Sequence, residues 1–219
     1  MRNLQGNLAF LCLAILAFWT FGFALPTTQA AIPTTAPTTI DQSSPKAAMH
    51  SFWAAIDQGD AEAAKQVCVA GESQSNWVDG FATMCDGWRK MNDARVRRFG
   101  QTGPDHHTPG YTAVALADKF TAQQQGDTAT LILAGHPNQG TIAVRKDGKW
   151  YLDLNRSLGG DIAATTVRHQ AIASAAREIA ANIDAGQYAA DADVETAFRA
   201  ALAKASSPQV HANPASSQP

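Results

Sequence analysis

The middle of this 219-residue chain carries a stripe of large apolar residues at helical spacing. Its members recur every three or four positions: Trp77, Phe81, Met84, Trp88 and Met91. This period predicts one long amphipathic helix, which can continue to Phe99 and end at Gly100. Because such a stripe must be covered, we expect it to face a β-sheet. The alternative is that its rings line a pocket for an apolar ligand.

Two shorter helices are predicted before the stripe. Ser44 and Pro45 suit an N-cap and a first helical residue. Four large apolar residues then fall on one helical face: Met49, Phe52, Trp53 and Ile56. Gly59 is a typical helix stop. Asp60 is predicted to cap a second helix that reaches about Val69.

Downstream of the stripe the hydrophobic pattern changes from a helical period to alternation. Gly126-Asp127 separates two predicted strands, and Asp147-Gly148 separates two more. Asp-Gly between alternating apolar residues is a strong hairpin signal. Strands joined by such short turns pair in antiparallel fashion, so this part of the chain predicts an antiparallel meander.

A helical period returns after the last predicted strand. Asp161 opens a predicted helix that ends at Gly186, and a final helix is expected to end at about Ala205. The fold is therefore predicted to be α+β. Three N-terminal helices would pack on a curved antiparallel sheet in a domain over residues 45–156, followed by a two-helix extension over residues 157–205.

The N-terminus predicts export. Residues 1–30 combine the basic Arg2, an apolar run and small residues that suit cleavage of a signal peptide. The Pro- and Thr-rich residues 31–44 are predicted to be a linker, and residues 206–219 a disordered tail. We expect a periplasmic or secreted protein. Because the apolar run is long for a signal peptide, the alternative is an uncleaved leader that tethers the domain to a membrane.

Two cysteines remain once the leader is removed, Cys68 and Cys85. An even pair in an oxidising compartment predicts a disulfide. The predicted positions, near the end of the second helix and inside the third, would permit the bond if these helices are adjacent and antiparallel. The alternative is that both cysteines are small buried apolar side chains.

The charge balance argues against a nucleic-acid partner. The chain has 17 Lys and Arg against 19 Asp and Glu, a formal net charge of −2. Binding to phosphates requires a basic patch or stripe. The densest basic cluster is Arg95, Arg97 and Arg98, which is short and isolated, and we predict it to be a solvated helix face.

The histidines do not form a diagnostic site. Asp105, His106 and His107, with His136 in a later turn, are ligand types for zinc or copper, but their spacing is not that of a metal site. We therefore predict an exposed loop and neither metal nor cofactor. His169 lies on the apolar face of a C-terminal helix, where we expect an interior histidine. No nucleophile and base are recognisable as a set, so no catalytic residue is predicted.

The order of elements and three short segments resemble a known family. The segments are FWAAIDQGD at residues 52–60, GDTAT at 126–130 and DGKWYL at 147–152. Together they resemble the superfamily of nuclear transport factor two and the SnoaL-like proteins, over about residues 45–155. The resemblance implies a cystatin-like α+β cone with a cavity between helices and sheet. Some members use this cavity for isomerase, dehydratase or hydrolase chemistry, and others for binding or dimerisation.

Our hypothesis from the sequence is a non-catalytic exported domain that binds a small apolar ligand or a cell-envelope partner. The residues predicted to line its pocket are Trp77, Phe81, Trp88 and His136. One alternative is an enzyme that uses the cone cavity for acid–base chemistry. Another is a structural protein whose C-terminal helices bind a second copy, as in a homodimer, or another envelope component.

Overall fold

The computed structural model describes residues 39–100, 114, 117–136 and 140–206. The predicted leader, most of the predicted linker and all but the first residue of the predicted tail lie outside these residues. The described chain contains six helices and five strands and confirms the α+β class. In chain order they are α1 (Pro45–Gln58), α2 (Ala61–Gln66), β1 (Cys68–Val69), α3 (Glu72–Phe99), β2 (Phe120–Gln125), β3 (Thr128–Leu133), β4 (Gly140–Lys146), β5 (Lys149–Asp153), α4 (Leu154–Ser157), α5 (Ile162–Asp184) and α6 (Asp191–Ser206).

The ends of α1 are set by local chemistry, as predicted. The Ser44 hydroxyl accepts a hydrogen bond from the Ala47 N–H at 3.1 Å, and Pro45 follows as the first helical residue. At the other end Gly59 adopts a left-handed φ of +73°, and its N–H donates to the Ile56 carbonyl. A residue with a Cβ is strained in that conformation.

Strands β2 to β5 form the predicted antiparallel meander. The sheet order is β1-β5-β4-β3-β2, and each of the last four strands pairs with its neighbour in sequence. Asp147 and Gly148 turn β4 into β5 with φ values of +49° and +77°. Positive φ at both central residues is the geometry for which Asp-Gly is favoured.

The prediction of a wholly antiparallel sheet is wrong, because β1 lies parallel to β5. Cys68 pairs with Leu152, and Val69 with Asp153. The helix predicted to reach about Val69 ends at Gln66 instead. The strand also lies between the second and third helices, so the chain does not place three helices in succession before the sheet. Its pairing depends on residues far along the chain, which no local pattern reveals.

One face of the sheet is buried against α1. Side chains that alternate along the strands point to this face and are at most 8% exposed: Ala129, Leu131, Leu133, Thr141, Ala143, Trp150 and Leu152. The main packing partners of α3 are α5, α1 and α2, and none of the strands is among them. The expectation that the stripe on α3 faces the sheet is therefore wrong, since α1 lies between them.

Helices α3 and α5 pack closely and run in the same direction. A Cβ on Gly87 would lie 2.9 Å from the Ala173 carbonyl oxygen, and one on Gly80 would lie 3.2 Å from the Thr166 methyl group. The contacts advance by seven residues on both helices, which gives the parallel register. Small residues at these positions allow the two backbones to approach each other.

Substitution of Gly87 by Ala is expected to destabilise the protein by about 1–3 kcal/mol through overpacking. The same change in an unconstrained helix stabilises it by up to about 1 kcal/mol. At Gly87 the new methyl group would meet backbone rather than a flexible side-chain end. Urea denaturation measures the effect, and Gly80→Ala is the matched control with a smaller expected loss. A stabilised Gly87→Ala protein would contradict the close contact.

Candidate functional site

Three of the four predicted pocket residues lie together on α3 and are buried. We call Trp77, Phe81 and Trp88 the aromatic stripe; each is at most 5% exposed. Trp77 and Phe81 are stacked, with ring centroids 5.0 Å apart and planes inclined by 19°. Trp88 lies two helical turns beyond Phe81, on the same face of the helix.

Helices on both sides of α3 cover the aromatic stripe. From α1, Trp53 meets Phe81 edge to face at 5.7 Å. From α5, His169 lies 5.8 Å from Trp77 and 5.1 Å from Phe81. The ring of Phe198 on α6 covers Trp88 in an edge-to-face contact at 5.9 Å. Aromatic pairs with these geometries contribute beyond their buried area.

Two indole N–H groups in this region are buried without a hydrogen-bond acceptor among the described residues. They belong to Trp53 and Trp88, whose side chains are 3% and 4% exposed. An unsatisfied buried donor costs about 1–3 kcal/mol, and indole N–H groups usually find a partner when buried. The aromatic stripe therefore combines an apolar surface with unused hydrogen-bonding capacity.

His136, the fourth predicted pocket residue, lies elsewhere. It follows β3 and is half-buried, and its backbone N–H donates to the Leu133 carbonyl at 2.9 Å. β3 packs on α1 rather than on α3. The structure thus brings together Trp77, Phe81 and Trp88 but not His136. The sequence missed Trp53 and Phe198 as neighbours of the stripe, since they come from separate helices.

Cys68 and Cys85 are not joined by a disulfide in the structure. The prediction assumed two adjacent antiparallel helices, but Cys68 lies on β1, where it pairs with Leu152 of the sheet. Cys85 is buried within α3. Burial raises the pKa of the Cys68 thiol, which keeps it protonated and unreactive. The alternative interpretation, two small apolar side chains, describes this arrangement.

His169 is an interior residue, as predicted, and is 3% exposed. Burial, with a smaller contribution from the neighbouring Arg168, lowers the pKa of His169 to about 4. Desolvation disfavours the charged imidazolium. The ring is therefore neutral at neutral pH.

Asp86 is the centre of a charged group between the helices. Its carboxylate lies 2.7 Å from Arg89, 2.8 Å from Lys90 and 3.2 Å from Arg177 of α5. Burial alone would raise its pKa, but hydrogen bonds from Lys90 and Arg177 outweigh burial and lower it. Nearby, burial raises the pKa of Asp57 to about 6, opposed in part by the charge of Arg89. Of the carboxyl groups with a shifted pKa, Asp57 has the pKa closest to neutral pH.

The prediction that Arg95 belongs to a solvated basic face is wrong, because this residue is buried. Its side chain is 2% exposed, and its Nε and Nη2 donate to the two carboxylate oxygens of Asp191 at 2.7 and 2.8 Å. Glu195 lies 3.8 Å from Nη1. The N-terminal part of α6 brings Asp191 and Glu195 to α3, a contact between distant parts of the chain. Arg97, by contrast, is 58% exposed and pairs with Asp184 on the surface.

The remaining ionisable groups of interest include a surface pair that involves α1. His50 pairs with Asp118 at 3.0 Å, with 33% and 69% of their side chains exposed. The adjacent Ser51 hydroxyl is bonded to the backbone of Asp41 in both directions. No cluster of three or more metal-ligating side chains occurs among the described residues. Asp105, His106 and His107 lie outside them.

Comparisons with protein-family models, with curated proteins and with solved structures give no match for this chain. Within the described ranges, no helix has the length and apolar character needed to cross a membrane.

Substitution of Asp191 by Asn is expected to destabilise the fold by about 3 kcal/mol, because it leaves the buried Arg95 charge with Glu195 as a more distant counter-ion. Asp184→Asn is the matched control, since it removes the same charge from an exposed pair and should cost less than about 1 kcal/mol. Urea denaturation at neutral pH compares the two. Equal small losses would show that the buried pair does not stabilise the attachment of α6.

Asp57→Asn tests the raised pKa of Asp57. In the unfolded chain this carboxyl has its ordinary pKa of 3.8, whereas burial raises it to about 6 in the fold. The folded protein therefore binds the proton more readily, so the contribution of Asp57 becomes more favourable as pH falls from about 6 towards 3.8. Relative to wild type, Asp57→Asn should be most stable at neutral pH and lose this advantage on acidification. Thermal denaturation of both proteins between pH 7 and pH 4 measures this difference, and a stability difference that does not change with pH would contradict the raised pKa.

Proposed function

We propose that this protein is an exported, non-catalytic binding domain, which takes a small apolar molecule carrying a hydrogen-bond acceptor at the aromatic stripe of α3. The observation that carries the proposal is the buried indole N–H of Trp88, which finds no acceptor among the described residues. A ketone, hydroxyl or carboxylate on the ligand would supply one. The rings of Trp77 and Phe81 would receive its apolar part.

The energetics of the stripe support a ligand of this kind. Ligand sites are typically aromatic and apolar, with a few polar groups that fix orientation. A neutral hydrogen bond contributes roughly 0.5–1.5 kcal/mol, and an unpaired buried donor costs about 1–3 kcal/mol. A ligand that satisfies Trp88 therefore gains both from apolar burial and from removal of this penalty.

The cone resemblance is part of the proposal. A helical region that precedes an antiparallel meander supports a relationship to the superfamily of nuclear transport factor two and the SnoaL-like proteins. We propose β1 and the α5–α6 extension as additions to that plan. The proposed ligand site lies between α3 and its covering helices, and so it differs from the cavity between helices and sheet that the resemblance implies.

The ion pairs favour binding over catalysis. Asp86 is held by three cations, Asp191 by Arg95 and Asp118 by His50. Asp57 is the acid–base candidate with a pKa near neutrality, but the charged neighbour that acts on it is Arg89 rather than a second proton-transfer group. A homodimer through the C-terminal helices would need an exposed apolar surface on them. On the described part of α5 and α6, the one exposed large apolar side chain is Val167.

A matched set of ten-carbon probes tests the proposal. Decan-2-one and 1-decanol carry an acceptor, whereas decane does not. At equal free concentration the first two are expected to raise the melting temperature and change tryptophan fluorescence more than decane does. Trp88→Phe removes the N–H and retains an aromatic ring, and it should weaken decan-2-one binding about fivefold, the equivalent of one neutral hydrogen bond.

Trp150→Phe is the control, because Trp150 is buried on the sheet face that packs on α1. The affinity of the Trp150→Phe variant for decan-2-one should equal that of the wild-type protein. Absence of binding by either acceptor-bearing probe, or an unchanged affinity in Trp88→Phe, would contradict the proposed site.

A further inference from the structure

The two edges of the sheet differ in what lies beside them. On the outer side of β5, the Trp150 N–H donates to the Gln42 carbonyl at 2.9 Å. The Leu152 N–H donates to the Val67 carbonyl at 2.8 Å, next to β1. At the opposite edge β2 pairs with β3, and no further strand lies beside it among the described residues. Strand β2 therefore presents one side of its backbone for pairing.

The hydrogen-bond pattern shows which residues of β2 face outwards. The Ala134 N–H donates to the Lys119 carbonyl at 3.2 Å, so the Lys119 carbonyl is directed towards β3. In an antiparallel pair, the residues that bond to the neighbouring strand alternate along the chain. Gln123 therefore bonds to β3, whereas the N–H and C=O groups of Ala122 and Gln124 point away from it. Within the described ranges these outward groups have no backbone partner.

Strand β2 lacks the features that usually keep a sheet edge from pairing. Exposed edges in soluble proteins are typically blunted by a proline, a bulge or charged side chains. The segment Phe120–Gln125 contains neither proline nor a charged residue. It pairs with β3 in an unbroken register, and its residues from Thr121 onwards are exposed. Nothing in β2 itself opposes the addition of another strand.

The charges that flank β2 have opposite signs and favour a second copy of this chain as the added strand. Lys119 precedes the strand and Asp127 follows the turn at its end, and both are exposed. An antiparallel copy that places Gln123 opposite its own counterpart also places Lys119 of each copy opposite Asp127 of the other. The lysine ammonium has three donors, so this contact leaves room for a partner within its own chain.

The same register satisfies the outward backbone groups. Ala122 of one copy lies opposite Gln124 of the other, and two such residues exchange both of their hydrogen bonds. The two-fold axis repeats this pair. At the axis the two Gln123 amides each carry a donor and an acceptor, so they can bond to each other. A shift by two residues would place Lys119 opposite Gln125, or Asp127 opposite Thr121, and would lose the opposite charges.

We propose that β2 is a dimerisation edge, at which two copies of this protein pair in antiparallel fashion with Gln123 at the two-fold axis. The two sheets then continue into one. This dimer differs from one formed through the C-terminal helices. It leaves the aromatic stripe of each copy in place, because the stripe lies on α3 and the strands are not main packing partners of that helix. Paired strands of this length span only about 20 Å, so the interface is small and the dimer should be reversible.

Sedimentation and hydrogen exchange of the purified protein test the proposal. Between about 10 μM and about 1 mM, a range suited to a small interface, the average mass should rise towards that of a dimer. Over this range the Ala122 and Gln124 amides should gain several-fold protection from exchange. The Gln123 amide, which already bonds to β3, should change little.

Three results of these measurements would overturn the proposal. The first is a protein that remains monomeric throughout the range. The second is a dimer that leaves the Ala122 and Gln124 amides unprotected, since its interface would lie elsewhere. The third is protection of these amides that does not depend on concentration, which would assign the edge to a segment of the same chain.

Charge substitutions at the axis test the register. Gln123→Lys places two ammonium groups opposite each other and should weaken association about fivefold, because like charges directly opposite are unfavourable. Gln123→Glu should weaken it to a similar extent. An equimolar mixture of the two variants should associate at least as tightly as wild type, since a lysine then faces a glutamate. A general loss of stability would not be restored by mixing.

Gln125→Lys is the matched control. It adds the same charge to the same strand and the same sheet face, but in the proposed register this position lies opposite Thr121. Its association should stay within about twofold of wild type. Gln123 and Gln125 are both exposed, so the variants should keep the wild-type melting temperature. Equal weakening by the two lysine variants, or no recovery in the mixture, would overturn the proposed pairing.

Discussion

The close parallel contact between α3 and α5 determines much of the remaining structure. Gly87 meets the backbone of Ala173, and Gly80 meets Thr166, at a spacing of seven residues on each helix. Because the two helices run in the same direction, the chain must return along their length before α5 can begin. The meander of β2 to β5 occupies this connection. The sheet and the helical layer are therefore linked through one packing arrangement, with α1 between them.

This contact also explains why charged groups are buried. A helix covered by α1 on one side and α5 on another has little surface left for polar side chains, so Asp86 and Arg95 lie at the edges of helix interfaces. Each is compensated by ions of opposite charge. Burial raises the pKa of Asp57 and lowers the pKa of His169. The two pKa shifts have opposite signs because desolvation favours the neutral form of both an acid and a base. Acid thus favours the fold through Asp57 and opposes it through His169.

Local signals were sufficient where the structure depends on local chemistry. Ser44 and Gly59 define α1, and Asp147-Gly148 defines a hairpin, because a cap or a tight turn is determined by a few adjacent residues. The parallel strand β1 could not be recognised in this way, since Cys68 pairs with Leu152. The bidentate pair of Arg95 with Asp191 is similarly non-local, and a run of arginines alone does not distinguish it from a solvated face.

The aromatic stripe shows why a predicted face does not identify its partner. A period of three to four residues indicates which side of α3 is buried, but a sheet and a helix both supply apolar cover. The distinguishing signal was the glycine pair itself. Glycine inside a helix costs up to about 1 kcal/mol relative to alanine, so Gly80 and Gly87 on one helix favour a close helix–helix contact.

The nature of this cover affects function. Strands are held to their neighbours by ladders of backbone hydrogen bonds, and a sheet that covered the stripe could not leave without losing them. Helices α5 and α6 are held to α3 by side-chain packing and by ion pairs, and they follow one short connection containing Gly160. A ligand that reaches the aromatic stripe would therefore replace side-chain contacts of these helices and not backbone hydrogen bonds of the sheet.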